Sequence, residues 1–304
     1  MRVTQLEIGR NLLTDLENLN RSFIDTNRQL QTGKKLNKLS DSPLGSADLV
    51  DITEQALRLD AYRFNITTSS YQLKFAESVL NMANNAFTAI HTLGSRAAND
   101  PTNADGRRAI LLEIEKLREE LVSIGNTQVD GKYIFAGSDV KTRPFDLVET
   151  APGSGLYDTV YNGNNNVNSI PVADGVEVVA GVSGDKALGD IFKKVDKLIE
   201  AIKNSIDGIS APNDIGDALE GFGDALSVLG RARGQIGVSL SMVQRLSEMI
   251  DTRNIVLKEQ RSHIEDANAL EVIVRIEQLQ TAINAALSSG GVILRQNTLF
   301  DIIG

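Results

Sequence analysis

From Leu6 to Leu30 apolar residues recur at intervals of three and four: Leu6, Leu13, Leu16, Phe23 and Leu30 share one stripe, with Leu12 and Leu19 beside it. That period predicts an amphipathic helix, and Asn20 and Asn27 on the same stripe are polar seam residues of the kind that set register between helices. Gly33 ends the helix and is followed by Lys34 and Lys35, cations that suit a helix C-terminus. Asp41-Ser42-Pro43 is a second helix start, a small polar cap before a proline at the first helical position. This helix is predicted to run to about Ala97, with a heptad seam of Ile66, Leu73, Ala76, Leu80, Ala83, Phe87, Ile90 and Ala97. After a turn at Asp100-Pro101, Thr102 with Asp105 resembles a capping box, and Ile110, Ile114, Leu117, Leu121 and Ile124 form a third stripe, giving an antiparallel helical hairpin.

The helical period is lost at Asp130-Gly131, a tight-turn signal, and Tyr133-Ile134-Phe135 reads as a strand. Between about Ser138 and Asp185 the chain is rich in Gly, Asn, Val and Thr, with β-like pieces at Asp158 to Tyr161 and Val176 to Val179. Helix spacing resumes at Leu188, Ile191, Val195, Leu198 and Ile202, and breaks at Ala211-Pro212. From Asp214 to Ser288 there is no proline, and an unbroken helix of that length would span roughly 110 Å. Gly216, Gly221, Gly223, Gly230, Gly234 and Gly237 weaken its start, so a bend or break is expected before Ile236. The seam Val243, Leu246, Ile250, Leu257, Ile264 and Ala267 then slips in phase to Ile273, Ile276, Ile283 and Leu287.

The pattern is a near mirror. It predicts a mainly α fold: an elongated helical bundle or coiled coil formed by both chain ends, with a small β-rich domain inserted in the middle. The expected segments are 1–40 and 261–304 as terminal coiled-coil pieces, 41–137 and 186–260 as two parts of a helical core, and 138–185 as the insertion. A long helix cannot bury its stripe alone, so the first helix is expected to pair with the last, with both termini at one end of the molecule. Whether the terminal stripes pack within one chain or between chains is left open by the pattern.

Composition narrows the function. A net charge of −9 disfavours nucleic-acid binding, and charges interrupt every apolar run before it reaches membrane-spanning length. The first 20 residues hold Arg2, Glu7, Arg10, Asp15 and Glu17 and lack the apolar core of a secretory signal. With no cysteine there are no disulfides and no thiolate sites. His91 and His263 are the only histidines and sit among helical surface residues, outside any metal-ligand spacing. Gly125 to Lys132 has the wrong glycine spacing for a phosphate loop, and Gly153-Ser154-Gly155 lacks the third glycine of a dinucleotide fingerprint. Glu119 and Glu120 lie on the wet face of an amphipathic helix. No catalytic, cofactor or metal residue is expected.

Two terminal motifs carry a resemblance. Leu30-Gln31-Thr32-Gly33-Lys34-Lys35-Leu36-Asn37 with Ser40-Asp41-Ser42-Pro43, and Arg261-Ser262-His263-Ile264-Glu265-Asp266 with Glu271, Gln280, Ala282 and Ala285 to Leu287, resemble the bacterial flagellin family over roughly residues 1–145 and 185–304. Tyr133-Ile134-Phe135-Ala136-Gly137, Pro144-Phe145 and the ending Leu299-Phe300-Asp301-Ile302 resemble the members of that family at the hook–filament junction. The resemblance departs at Asp41-Ser42, Leu36 and Ile302-Ile303-Gly304. It implies a structural subunit without chemistry, secreted unfolded through the flagellar type III channel and held beforehand by an export chaperone at its C-terminal region. The implied partners are copies of itself in a ring, a neighbouring hook-associated protein and filament flagellin. Its ends would order on assembly, with Leu6, Leu13, Leu16, Phe23 and Leu30 packing against Ile264, Ile273, Ile276, Ile283 and Leu287, and with Leu299 and Phe300 as further interface residues. A filament flagellin and a cytoplasmic coiled-coil scaffold or signalling protein are the rival readings.

Overall fold

The computed structural model describes residues 2–38, 40–99, 104–209 and 213–300. Helices α1 (Arg2–Thr32), α2 (Pro43–Asn99) and α3 (Ala104–Gly125) are followed by strands β1 (Gln128–Val129), β2 (Lys132–Tyr133), β3 (Phe145–Glu149), β4 (Tyr157–Tyr161), β5 (Ser169–Ala173) and β6 (Val176–Val179). A π-helical turn (Asp185–Gly189) then leads into α4 (Asp190–Ile206), α5 (Asn213–Leu219), α6 (Phe222–Glu265) and α7 (Ala269–Phe300). The fold is mainly α, with long helices at both chain ends and a small sheet-containing region in the middle, as the periodicity predicts. The chain forms two compact units, Met1–Arg58 with Thr252–Gly304, and Leu59–Asp251. Their boundaries fall inside α2 and α6.

Local chemistry sets most helix ends. Gly33 takes a left-handed φ of 69° and stops α1. Ser42 caps α2, its Oγ accepting the Gly45 N–H at 3.2 Å. The break expected before Ile236 is at Glu220-Gly221, where Gly221 has φ 78° and Lys194 Nζ donates to the Glu220 carbonyl at 2.7 Å. Gly230, Gly234 and Gly237 stay helical, each at a cost of about 1 kcal/mol relative to alanine. Burial of the neighbouring Leu229, Ala232 and Ile236 overrides that penalty. A second interruption at Asp266–Asn268 separates α6 from α7 and accounts for the phase slip in the heptads.

The core lies in the second unit. Within it α2 runs antiparallel to α6: Phe87 stacks on Phe222 at 4.7 Å, Arg233 Nη2 pairs with Glu77 Oε1 at 2.7 Å, and Arg63 pairs with Asp251. The predicted α4 positions Ile191, Val195, Leu198 and Ile202 are all buried, as are the heptad positions Leu73, Leu80, Phe87 and Ile90 of α2.

Three antiparallel hairpins follow one another, each its own two-stranded sheet. The first turns at Asp130-Gly131, with φ 51° and 72°, a pair that matches the twist of a tight hairpin. The strand expected over Tyr133-Ile134-Phe135 ends at Tyr133. Its continuation curls because Gly137, φ 74°, lies so close to Asn164 that a Cβ would stand 2.1 Å from the Asn164 carbonyl oxygen. Phe135 is buried by that turn. β3 and β4 pair Phe145 with Tyr161, and Phe145 packs on Phe192 of α4 at 4.7 Å. β5 and β6 pair with an irregularity between Pro171 and Ala173, where a proline without an N–H is tolerated.

A buried ion pair fastens the second hairpin to the helices. Arg118 of α3, 4% exposed, faces Asp196 of α4 at 3.4 Å and donates to the Tyr157 carbonyl at 3.0 Å. Asp196 also accepts the Thr159 N–H at 2.8 Å. Burial pushes the Asp196 carboxyl above the usual aspartate range, against the Thr159 hydrogen bond and the Arg118 charge. Arg118→Ala would strand that carboxylate, and a loss of about 3–5 kcal/mol is expected in denaturant unfolding. Arg118→Met with Asp196→Leu is expected to cost much less than the single change; equal losses would contradict the pairing.

Candidate assembly interface

α1 packs antiparallel along α7. Leu12, Leu16, Leu19 and Phe23 are half-buried and Thr26 is buried on one side of α1; on α7 Val272 is buried and Ile276, Leu279 and Ile283 are half-buried. The α1 set advances by four, three, four and three residues, the seam of paired helices. Gly290 lets the helices close, since a Cβ there would stand 2.8 Å from Leu12 Cδ2. Thr26 is satisfied locally, its Oγ1 donating to the Ser22 carbonyl at 2.7 Å.

The predicted interface residues divide between two sides. Leu16, Phe23, Ile276 and Ile283 are half-buried. Leu13 (62% exposed), Leu30, Ile273 and Leu287 (57% exposed) face outward, where Ile24, Leu270, Val274 and Val292 are also exposed. The side chains of Leu6, Leu299 and Phe300 lie outside the described residues. Thr26 and Val272 were not singled out by the sequence; the alternating spacing through Leu12, Leu16, Leu19 and Phe23 was the signal that leads to Thr26.

At the far end of this pair the two terminal motifs meet. Lys34 forms an antiparallel bridge with Asp266: the Lys35 N–H donates to the Glu265 carbonyl at 2.6 Å, and the Ala267 N–H to the Gly33 carbonyl at 2.9 Å. Glu265, nearly buried, receives Arg261 Nε at 2.7 Å on one carboxylate oxygen and Lys34 Nζ at 2.5 Å on the other. Those two donors, Arg261 first, hold its carboxyl below the usual glutamate range. Around the bridge Gln29 donates to the Lys35 carbonyl at 3.1 Å and Asn37 to the Lys34 carbonyl at 2.9 Å. Asp41 accepts the Asn37 and Lys38 N–H groups at 3.0 and 2.8 Å, which lower its carboxyl as well. Leu36 and Ile264 sit over Gly45 of α2, 3.1 and 3.4 Å from where a Cβ would stand. The arrangement fixes backbone geometry where the two motifs meet.

Among the described residues no group of three or more His, Cys, Asp or Glu is placed to hold a metal ion, and no helix is long and apolar enough to cross a membrane. His91 lies against the Phe222 ring at 5.5 Å.

Residues 4–140 of this chain match the bacterial flagellin N-terminal helical region. Over 300 residues it is 21% identical to flagellar hook-associated protein 3 of Salmonella typhimurium, covering 94% of this chain and 95% of that one. It is 23% identical to flagellin B of Helicobacter pylori over 69% of this chain but only 43% of the relative. Its fold is that of a flagellar hook-associated protein of Vibrio parahaemolyticus, with a TM-score of 0.66 at 19% identity over 74% of this chain and 100% of that one.

Glu265 has a lowered folded pKa, so its contribution to the bridge is complete above the unfolded glutamate value of about 4.3 and is lost as pH falls through the folded value. Glu265→Gln is expected to weaken the bridge by about 1–2 kcal/mol, discounted for the half-exposed Lys34 and Arg261. Hydrogen exchange at the Lys35 and Ala267 amides checks this: roughly 5–30-fold faster exchange at neutral pH is expected, and the variant's rates should lose the acid dependence of the wild type. Unchanged rates would remove Glu265 from the bridge's support.

Proposed function

We propose that this chain is the subunit that joins the flagellar hook to the filament, assembled as a ring of its own copies in the extracellular flagellum. The observation that carries the reading is the end-to-end match to hook-associated protein 3, against coverage of less than half of a filament flagellin. More than half of that flagellin has no counterpart in this chain; among the described residues three short hairpins lie between its helical halves.

In this role the terminal segments 1–40 and 261–304 form the inner contact layer, the helical parts 41–137 and 186–260 form the body, and 138–185 faces away from the contacts. The subunit is made in the cytoplasm, its C-terminal segment is covered by an export chaperone, and it passes the type III channel unfolded. Pairing of α1 with α7 on arrival buries the Leu16 and Phe23 side of α1. The outward residues Leu13, Leu30, Ile273 and Leu287 are left to pack on neighbours, which are further copies, another hook-associated protein and flagellin. Folding coupled to binding lets a chain that travels unfolded gain a large interface at its destination.

The test is replacement in cells. Without the chain, hooks are expected to form but to carry no filament, with flagellin released into the medium; attached filaments in its absence would sink the proposal. Phe23→Asp or Ile276→Asp is expected to leave the Leu59–Asp251 unit folded by circular dichroism and to reproduce the loss of filaments. Purified wild-type chain that polymerises alone into long filaments at high salt would favour a filament flagellin instead.

A further inference from the structure

Two surfaces of the Leu59–Asp251 unit are costly to the isolated molecule and have no use within it. On α2, Phe64 and Tyr71 are 72% and 58% exposed, Phe75 stacks on Tyr71 at 6.5 Å, and Met82 is exposed in line with them. These four positions advance by seven, four and seven residues and so share one side of the helix. The core of the unit takes the other side, through Ile66, Leu73 and Leu80. The result is an apolar ridge about five turns long, with Phe64, Tyr71 and Met82 facing solvent and Phe75 half-buried at its foot against the core.

On α6, the exposed side opposite Phe222, Leu229 and Ile236 is made of Gly223, Ser227, Gly230, Gly234, Gly237 and Ser241. They advance by four, three, four, three and four residues, an unbroken heptad seam without a side chain larger than serine. Ser227 folds its hydroxyl back onto the Gly223 carbonyl at 2.9 Å, which leaves the floor smooth. None of the four glycines has a positive φ, and no atom lies within 4 Å of a Cβ built on Gly223, Gly230, Gly234 or Gly237. Neither backbone conformation nor internal packing asks for glycine there, and glycine is the worst helix former after proline. A helix keeps such residues where something from outside must come close.

We infer that the aromatic ridge Phe64–Met82 of one copy seats in the glycine groove Gly223–Ser241 of the next copy. The two features match in length, each about five turns or ~27 Å, and in form, a row of large knobs against a floor without side chains. Because ridge and groove are different surfaces of the same unit, the contact is head-to-tail and propagates into a ring or helix, where a self-complementary patch would stop at a dimer. The ridge presents on the order of 300 Å² of apolar surface, well below the ~800 Å² per partner of a stable pair. The contact therefore holds when repeated around a closed array and leaves the free chain monomeric. This rests on the junction-subunit reading above and names the surfaces that make its ring.

The absence of cysteine in the chain gives a clean test. Tyr71→Cys is combined in turn with Gly230→Cys, Gly234→Cys and Gly237→Cys, each variant replaces the wild type in cells, and isolated hook–filament particles are oxidised mildly and run on a non-reducing gel. At least one double variant is expected to give a ladder from dimer upward that collapses with reductant, with no ladder from any single variant. Motile cells whose particles contain the variants but yield no ladder would overturn the contact and leave the junction reading standing. Absence of the wild-type chain from the particles would overturn both. Gly234→Leu supplies the converse: its thermal midpoint as a purified monomer is expected at or above wild type, since leucine favours helix, while its amount in particles falls at least about tenfold. Undiminished incorporation would overturn the groove.

Discussion

The carboxylate of Glu265 ties together stretches of chain that lie 231 residues apart. Helices α1 and α7 each have one apolar side and nothing local to cover it, so both depend on being brought alongside one another. A seam of leucines specifies contact but is poor at specifying register, because sliding by a heptad costs little. The bridge between Lys34 and Asp266, with Lys34 and Arg261 closing on Glu265 from two sides, removes that freedom at one end, and in the same register Gly290 comes close under Leu12. The bridge sits where α1 ends and where α6 gives way to α7.

Much of the helical framework could be read from the chain because its heptads are long and its caps conventional: Gly33, the Asp41-Ser42-Pro43 start and the seam from Ile66 to Ile90 all sit where periodicity and capping place them. The break in the glycine-rich stretch was harder to place. Propensity offered several glycines before Ile236 without choosing among them; the chain turns at Gly221, because only there is a left-handed φ combined with a capping lysine from another helix. Tyr133-Ile134-Phe135 has strand composition, but the close approach of Gly137 to Asn164 is a tertiary constraint with no local signal. The bridge at Glu265 was visible only as two separate motifs. Their meeting depends on the antiparallel closure of the whole chain, which no window of sequence contains.

The long helices carry information on two sides. On α2 and α6 the inner side follows the familiar rule of buried leucine, isoleucine and phenylalanine. The outer side breaks the rule in opposite ways, with aromatics too large for water on one helix and glycines too small for a stable helix on the other. Violations of this kind, unexplained by the fold that holds them, mark where a chain has been shaped for something beyond its own stability.

The three hairpins have a consequence for the order of folding. Each pairs residues within 16 positions of one another, as Phe145 with Tyr161, and none pairs with another, so the middle of the chain needs no long loop to close before its strands form. Isolated hairpins form in roughly 1–10 μs, whereas α1 and α7 are the most distant partners the chain possesses and meet last, after the largest loop-closure entropy has been overcome. A chain released in extended form would thus acquire its centre first and pair its two ends last, so that the leucine seams stay open until the rest of the fold is in place.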